Sequence, residues 1–285
     1  MAVWAGLRLI LGAAGSLLTV PFMGAVSASA AGGANAANPM ASLQALLKLL
    51  PLELALVPLY LIVLSMFSAA VFRAVLRPED KGFARLKFGG DELRLIGLWL
   101  LMGLLFFGVA LVLGIVIGGG AVAMSLGSKM PSAGVVLGIF VIYLVMIVAM
   151  IWVGVKLSLA APMTFVQRKI RLFGSWRLTK GRFWPLFGCY LLVWIFTILI
   201  GLVELVVVGA ITLGTSGGSF TQVATSFMRP DYSSYAAYFS VARIITLVIG
   251  SAVGAVAGAM ALAAPAQAYK EFAGLSPKDQ AEAFA

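Results

Sequence analysis

Six stretches of this chain run for 20 residues or more with at most one charge each, at about 4–28, 52–72, 95–122, 134–160, 186–213 and 241–268. A helix of about 20 apolar residues crosses a bilayer core about 30 Å thick, and a water-soluble core has no use for six such runs. The expected fold is all-α: a polytopic membrane protein with six transmembrane helices arranged as three hairpins. Only 11% of the residues are charged and the mean hydropathy is +1.08. Soluble domains carry about 25% charged residues, so a soluble globular protein is excluded. The 285 residues read as a single transmembrane domain, with hairpins at about 1–72, 73–160 and 161–268 and a tail at 269–285.

Ser29 to Asn38, rich in glycine and asparagine and followed by Pro39, reads as a loop. Ser42 to Leu50 is an amphipathic piece ending at Pro51, which predicts a short surface helix, and Pro58 predicts a kink in the second span. At the N-terminus, Arg8, an apolar run and Ala28-Ser29-Ala30 imitate a secretory signal with a cleavage site. The run exceeds the usual signal length, so a retained first helix is the expectation.

Positive residues are held on the cytoplasmic side of bilayers. Arg73 to Arg94 contains six of them, Met163 to Trp184 six more, and Arg8, Lys270 and Lys278 fall on the same side. Lys156 is expected to snorkel there too. The opposite side has only Lys48, Lys129, Arg229 and Arg243. Both termini are therefore expected in the cytoplasm, and the location expected is a bacterial inner membrane.

An internal repeat is visible at an offset of 91, pairing Ala69-Ala70 with Ala160-Ala161, Arg77 with Arg168, Gly90 with Gly181, Leu95 with Leu186, Gly97 with Gly188 and Trp99 with Tyr190. Leu159-Ala160-Ala161-Pro162 recurs as Leu262-Ala263-Ala264-Pro265. Each unit starts from the same side, which predicts parallel repeats about an axis along the membrane normal.

Little in the chain suggests chemistry. It has no histidine and one cysteine, Cys189, which excludes histidine relays, triads and internal disulfides. No metal site, cofactor or catalytic residue is expected. Phe88-Gly89-Gly90-Asp91-Glu92-Leu93 imitates a diguanylate cyclase hairpin, but the flanking spans leave no room for that soluble domain. A solvated turn with acids at a helix N-terminus accounts for it, and Glu79, Asp80, Asp91 and Glu92 are expected in surface salt bridges with the basic residues around them.

Charges within a bilayer are costly and point to function. Glu204, Lys156 and Arg243 are the intramembrane charges. Glu204 lies about 27 Å from the cytoplasmic end of its span, at a depth compatible with Arg243 and not Lys156. Two readings stand: a structural Glu204–Arg243 contact, or a Glu204 that lines an aqueous or ligand cavity. Gly114 and Gly118, and Gly250, Gly254 and Gly258, form GxxxG steps that predict close helix packing, within the chain or against a second copy.

The segment Pro162 to Trp184 is the most informative polar stretch. Taken as one helix from about Thr164, it gathers Val166, Ile170, Phe173 and Trp176 on one stripe and Arg168, Lys169, Arg171 and Arg177 around the rest. Such a basic elbow lies in the interface, with its cations among lipid phosphates. Lys180 and Arg182 extend the charge, and Trp176, Phe183 and Trp184 anchor the far end.

The run Ser175-Trp176-Arg177-Leu178-Thr179-Lys180-Gly181-Arg182-Phe183-Trp184-Pro185-Leu186-Phe187-Gly188, preceded by Leu159-Ala160-Ala161-Pro162, resembles the membrane domain of some bacterial glycerophosphodiester phosphodiesterases and the related YciC-like inner-membrane proteins. The resemblance covers spans four to six. It implies a six-helix membrane protein and carries over no catalytic residue, because these 285 residues contain no phosphodiesterase domain. The expected function is non-enzymatic: a membrane-organising or accessory subunit whose elbows bind anionic phospholipid, with a membrane-protein partner or homo-oligomer and no nucleic acid. A transporter or channel for lipid or a small solute is the alternative.

Overall fold

The computed structural model describes residues 2–31, 39–78, 89–126, 133–216 and 231–274. Among them there are helices and no strand: α1 (Ala2–Ala31), α2 (Pro39–Leu76), α3 (Gly90–Leu126), α4 (Ala133–Leu157), α5 (Ala160–Gln167), α6 (Gly174–Leu178), α7 (Phe183–Ser216), α8 (Tyr235–Tyr238) and α9 (Val241–Phe272). Among the described residues, five segments are long and apolar enough to cross a bilayer: Leu54–Leu76, Gly90–Val112, Leu137–Gln167, Phe183–Ile211 and Arg243–Phe272. Much of their apolar surface faces outward. Val148 in α4 is 65% exposed and Val206 in α7 is 70% exposed. Apolar surface on this scale is stable only in lipid, and the chain is a multi-pass integral membrane protein. The apolar part of α1 found among the described side chains, Ala2–Leu17, is shorter than a crossing.

The surface helix expected at Ser42 to Leu50 is not separate, because α2 runs unbroken through Pro51 and Pro58. The two prolines stand seven residues apart, about two turns, so both missing N–H groups fall on one face. The surroundings of Gly118, the pair Glu79-Asp80 and the tail beyond Gly274 lie outside the described residues.

The chain packs as two compact units. The first draws on Met1–Ser68 and Leu191–Leu262, the second on Ala69–Lys81, Lys87–Tyr190 and Ala263–Ala285. In the first, Trp4 lies against Phe67 with ring centroids 5.3 Å apart, and Phe67 fills the space over Gly258. At the middle of α1, Ser16 and Tyr238 share a 3.0 Å hydrogen bond, and the Tyr235 hydroxyl donates to the Leu17 carbonyl at 2.9 Å. Ser234 caps α8 by accepting from the Ala237 N–H.

The second unit has the denser core. Buried small residues, Ala69-Ala70, Ala160-Ala161 and Pro265-Ala266, let helix ends approach closely. Val155, Leu159, Met163, Leu186 and Tyr269 pack together, and Phe72 meets Phe165 at 5.8 Å. Glu92 departs from the expected solvated turn. Glu92 is 1% exposed and paired with the equally buried Arg73, and it also accepts the Gly89 N–H at 2.9 Å. That reach back from the third helical residue is one half of a capping box, and it seals the start of α3 in the interior. Asp91 makes the surface contacts, with Arg94 at 2.9 Å and Arg77 at 3.7 Å.

Candidate functional site

Two places gather the polar groups singled out by the sequence: a basic elbow in the second unit and a charged cavity in the first. The elbow begins where α4 ends at Leu157, with Ser158 and Leu159 forming a turn into α5. The single amphipathic helix expected from Thr164 does not form. Instead α5 stops at Gln167, because Arg168 takes a left-handed conformation (φ 54°) that ends a helix. The chain then makes the five-residue α6, turns at Gly181 (φ 77°), and starts α7 at Phe183.

Hydrogen bonds across the elbow hold this shape. Ser175 donates its hydroxyl to the Lys156 carbonyl at 2.8 Å, and the Lys156 ammonium donates to the Thr179 carbonyl at 3.2 Å. The stitch is reciprocal, joining the last turn of α4 to α6 through a serine and a threonine that are fully buried. Lys156 is therefore no snorkelling side chain. It is 8% exposed and lies 6.0 Å from the Trp152 ring centre. Trp176 packs edge-on against Trp152 at 5.0 Å, so it belongs to the support of the elbow and is no free anchor.

The outer face has a different character. Arg168, Lys169, Arg171, Arg177, Lys180 and Arg182 are all exposed, and among the described residues none forms an ion pair. The sequence contains no acid between Glu92 and Glu204 to neutralise them. Arg182 also stacks over Phe272, 4.5 Å from its centre. Exposed apolar side chains stand among these cations: Ile170, Phe173 (66%) and Trp184 (75%). Trp184 sits in a cluster with Phe183 and Phe187 at 5.6 and 6.0 Å. The broken helix has thus turned Ile170 and Phe173 outward, while Val166 and Trp176, on the same expected stripe, are half-buried.

The cavity in the first unit encloses about 490 Å³, within the range of small-molecule sites. Glu204 and Arg243 both line it, but no ion pair joins them. Arg243 donates to the Tyr238 hydroxyl at 3.2 Å. Arg8, expected from the sequence to mark the cytoplasmic edge, lines the cavity instead and donates to the Gly254 carbonyl at 3.3 Å. No pattern in the sequence pointed to it.

The glycine ridge of α9 accommodates side chains. The atoms nearest to a methyl group built on Gly250, Gly254 or Gly258 belong to the side chains of Glu204, Arg8 and Phe67 respectively. The GxxxG spacing here makes notches that receive two charged groups and a ring, from α7, α1 and α2. Gly114 faces open space. Outside the spans, burial raises the Tyr238 phenol pKa, but hydrogen bonds with Ser16 and Arg243 outweigh it and leave the group below its usual value.

No protein-family model, curated protein or solved structure matches this chain.

Proposed function

We propose that the chain is a non-enzymatic, membrane-organising or accessory protein that grips anionic phospholipid headgroups with the elbow at 168–184. The observation that carries this reading is the face of six exposed cations, without an ion pair among the described residues, interleaved with exposed Ile170, Phe173 and Trp184. Basic and apolar groups side by side on one surface suit a membrane interface, with rings at the acyl boundary and cations among phosphates. At about 1 kcal/mol per cation near an anionic leaflet, the six contribute several kcal/mol of attachment.

In this reading α1 is the first of six crossings, both termini lie in the cytoplasm, and the membrane is the inner membrane of a bacterium. The pairing of buried Ala69-Ala70 with buried Ala160-Ala161, and of buried Leu95 with buried Leu186, supports a parallel repeat. The kinship proposed is with the YciC-like membrane domains. The exposed faces of α4 and α7 leave room for a membrane-protein partner or a second copy. A second reading, a transporter or channel for lipid or a small solute, draws on the cavity that contains Glu204.

The test of the elbow is lipid enrichment. Full-length protein in mixed phosphatidylglycerol and phosphatidylcholine bilayers should collect phosphatidylglycerol around it. The triple change Arg168→Gln, Lys169→Gln and Arg171→Gln should cut that enrichment, and unchanged enrichment would refute the elbow reading.

A further inference from the structure

The charges around the first unit's cavity do not cancel. Two guanidiniums, Arg8 and Arg243, face one carboxylate, Glu204, leaving one formal positive charge in excess. Their positions show which charge is left over. Glu204 touches the notch at Gly250 and Arg8 the notch at Gly254. These glycines are one helical turn, about 6 Å, apart along α9, so the two opposite charges offset each other at close range. Arg243 stands seven residues before Gly250, about 10 Å away along the helix axis. It has a phenol for a partner and no carboxylate among the described residues. Its Nε is buried without a hydrogen-bond acceptor among those same residues. A buried donor without an acceptor is costly, and in a membrane a charge without a counter-charge is more so.

Most of the remaining lining is apolar, including Trp4, Leu64, Phe67 and Leu247, with Tyr60, Thr246 and Ser251 adding hydroxyl groups. We propose that this cavity is a binding site for a monoanionic amphiphile, whose negative headgroup sits at Arg243 and whose acyl chain begins against Leu64, Phe67 and Leu247. One negative charge neutralises the cavity and supplies an oxygen to Nε, and the chain covers the apolar wall. An inorganic anion meets only the first need and a zwitterionic lipid leaves the charge excess in place. The site is separate from the elbow and does not depend on its role.

The test is native mass spectrometry of the full-length protein released from detergent, titrated separately with phosphatidylglycerol, oleate, phosphatidylcholine and inorganic phosphate. Phosphatidylglycerol or oleate should bind at least about tenfold more tightly than phosphatidylcholine, as expected for one charge-assisted hydrogen-bonded contact. Which of the two binds more tightly distinguishes a phosphodiester from a carboxylate headgroup. Arg243→Gln should erase this preference. Gly12→Leu should block binding by filling the cavity, because Gly12 lines it and a methyl group there meets nothing within 4 Å. The triple elbow change should leave this site's tight binding intact, so failure of one reading is distinguishable from failure of the other. Equal binding of phosphatidylcholine, competition by inorganic phosphate at equal potency, or unchanged affinity in both Arg243→Gln and Gly12→Leu would overturn the proposal.

Discussion

Replacing Glu92 by Gln removes one charge from the interior of the second unit while keeping the shape of the side chain. The carboxylate is 1% exposed, faces Arg73, which is 4% exposed, and accepts the Gly89 N–H at the start of α3. The amide keeps at most one acceptor oxygen for two donors and takes the Glu92 charge away from the buried guanidinium. Breaking a buried pair from one side costs about 3–5 kcal/mol, because the remaining ion stays desolvated. Asp91→Asn, one residue earlier, removes contacts with Arg94 and Arg77 that solvent already screens, and should cost at most about 1 kcal/mol. Unfolding of bicelle-reconstituted protein by increasing SDS, followed by tryptophan fluorescence, compares the two. The double change Arg73→Met with Glu92→Leu should recover much of the loss, since two apolar side chains restore a neutral interior. If Glu92→Gln costs no more than Asp91→Asn, the interior ion pair does not hold the start of α3.

Gly174 is tightly enclosed: a methyl group there would sit 2.9 Å from the Met163 sulfur and 3.3 Å from Arg171 Cβ, so Gly174→Ala should destabilise by about 1–3 kcal/mol in the same SDS titration, while Gly103→Ala, with nothing within 4 Å, should be near neutral. Ser16→Ala removes a hydrogen bond that lowers the Tyr238 pKa, so alkaline difference absorbance, with Tyr238→Phe as the blank, should show the phenol ionising at higher pH. Because folding favours the ionised phenol, its contribution to stability is absent at neutral pH. It grows as pH rises through the folded pKa and is complete above the ordinary tyrosine value.

The membrane class was legible because periodicity does not matter to it: a lipid-facing helix needs only length and apolar side chains, and α4 and α7 have both. The elbow was legible in composition and illegible in shape. Its break falls at Arg168, where neither glycine nor proline warns of a left-handed residue, and it depends on the Ser175–Lys156–Thr179 stitch between residues 19 to 23 positions apart. Glu92 looked like a surface acid because sequence cannot show that Arg73 is buried beside it. Gly250, Gly254 and Gly258 were recognisable as a ridge of small residues, but which side chains fill such a ridge depends on α1, α2 and α7. The same contacts brought Arg8 into the cavity.

The most direct test of the account is the depth of the elbow. Spin labels placed singly at Phe173, Trp184 and Lys180, with Cys189 replaced, can be read in phosphatidylglycerol-containing bilayers by their relative access to oxygen and to a water-soluble nickel reagent. The account predicts oxygen-dominated relaxation at 173 and 184, just below the headgroups, and nickel-dominated relaxation at 180. Nickel-dominated relaxation at all three positions would place the elbow in free water and contradict it.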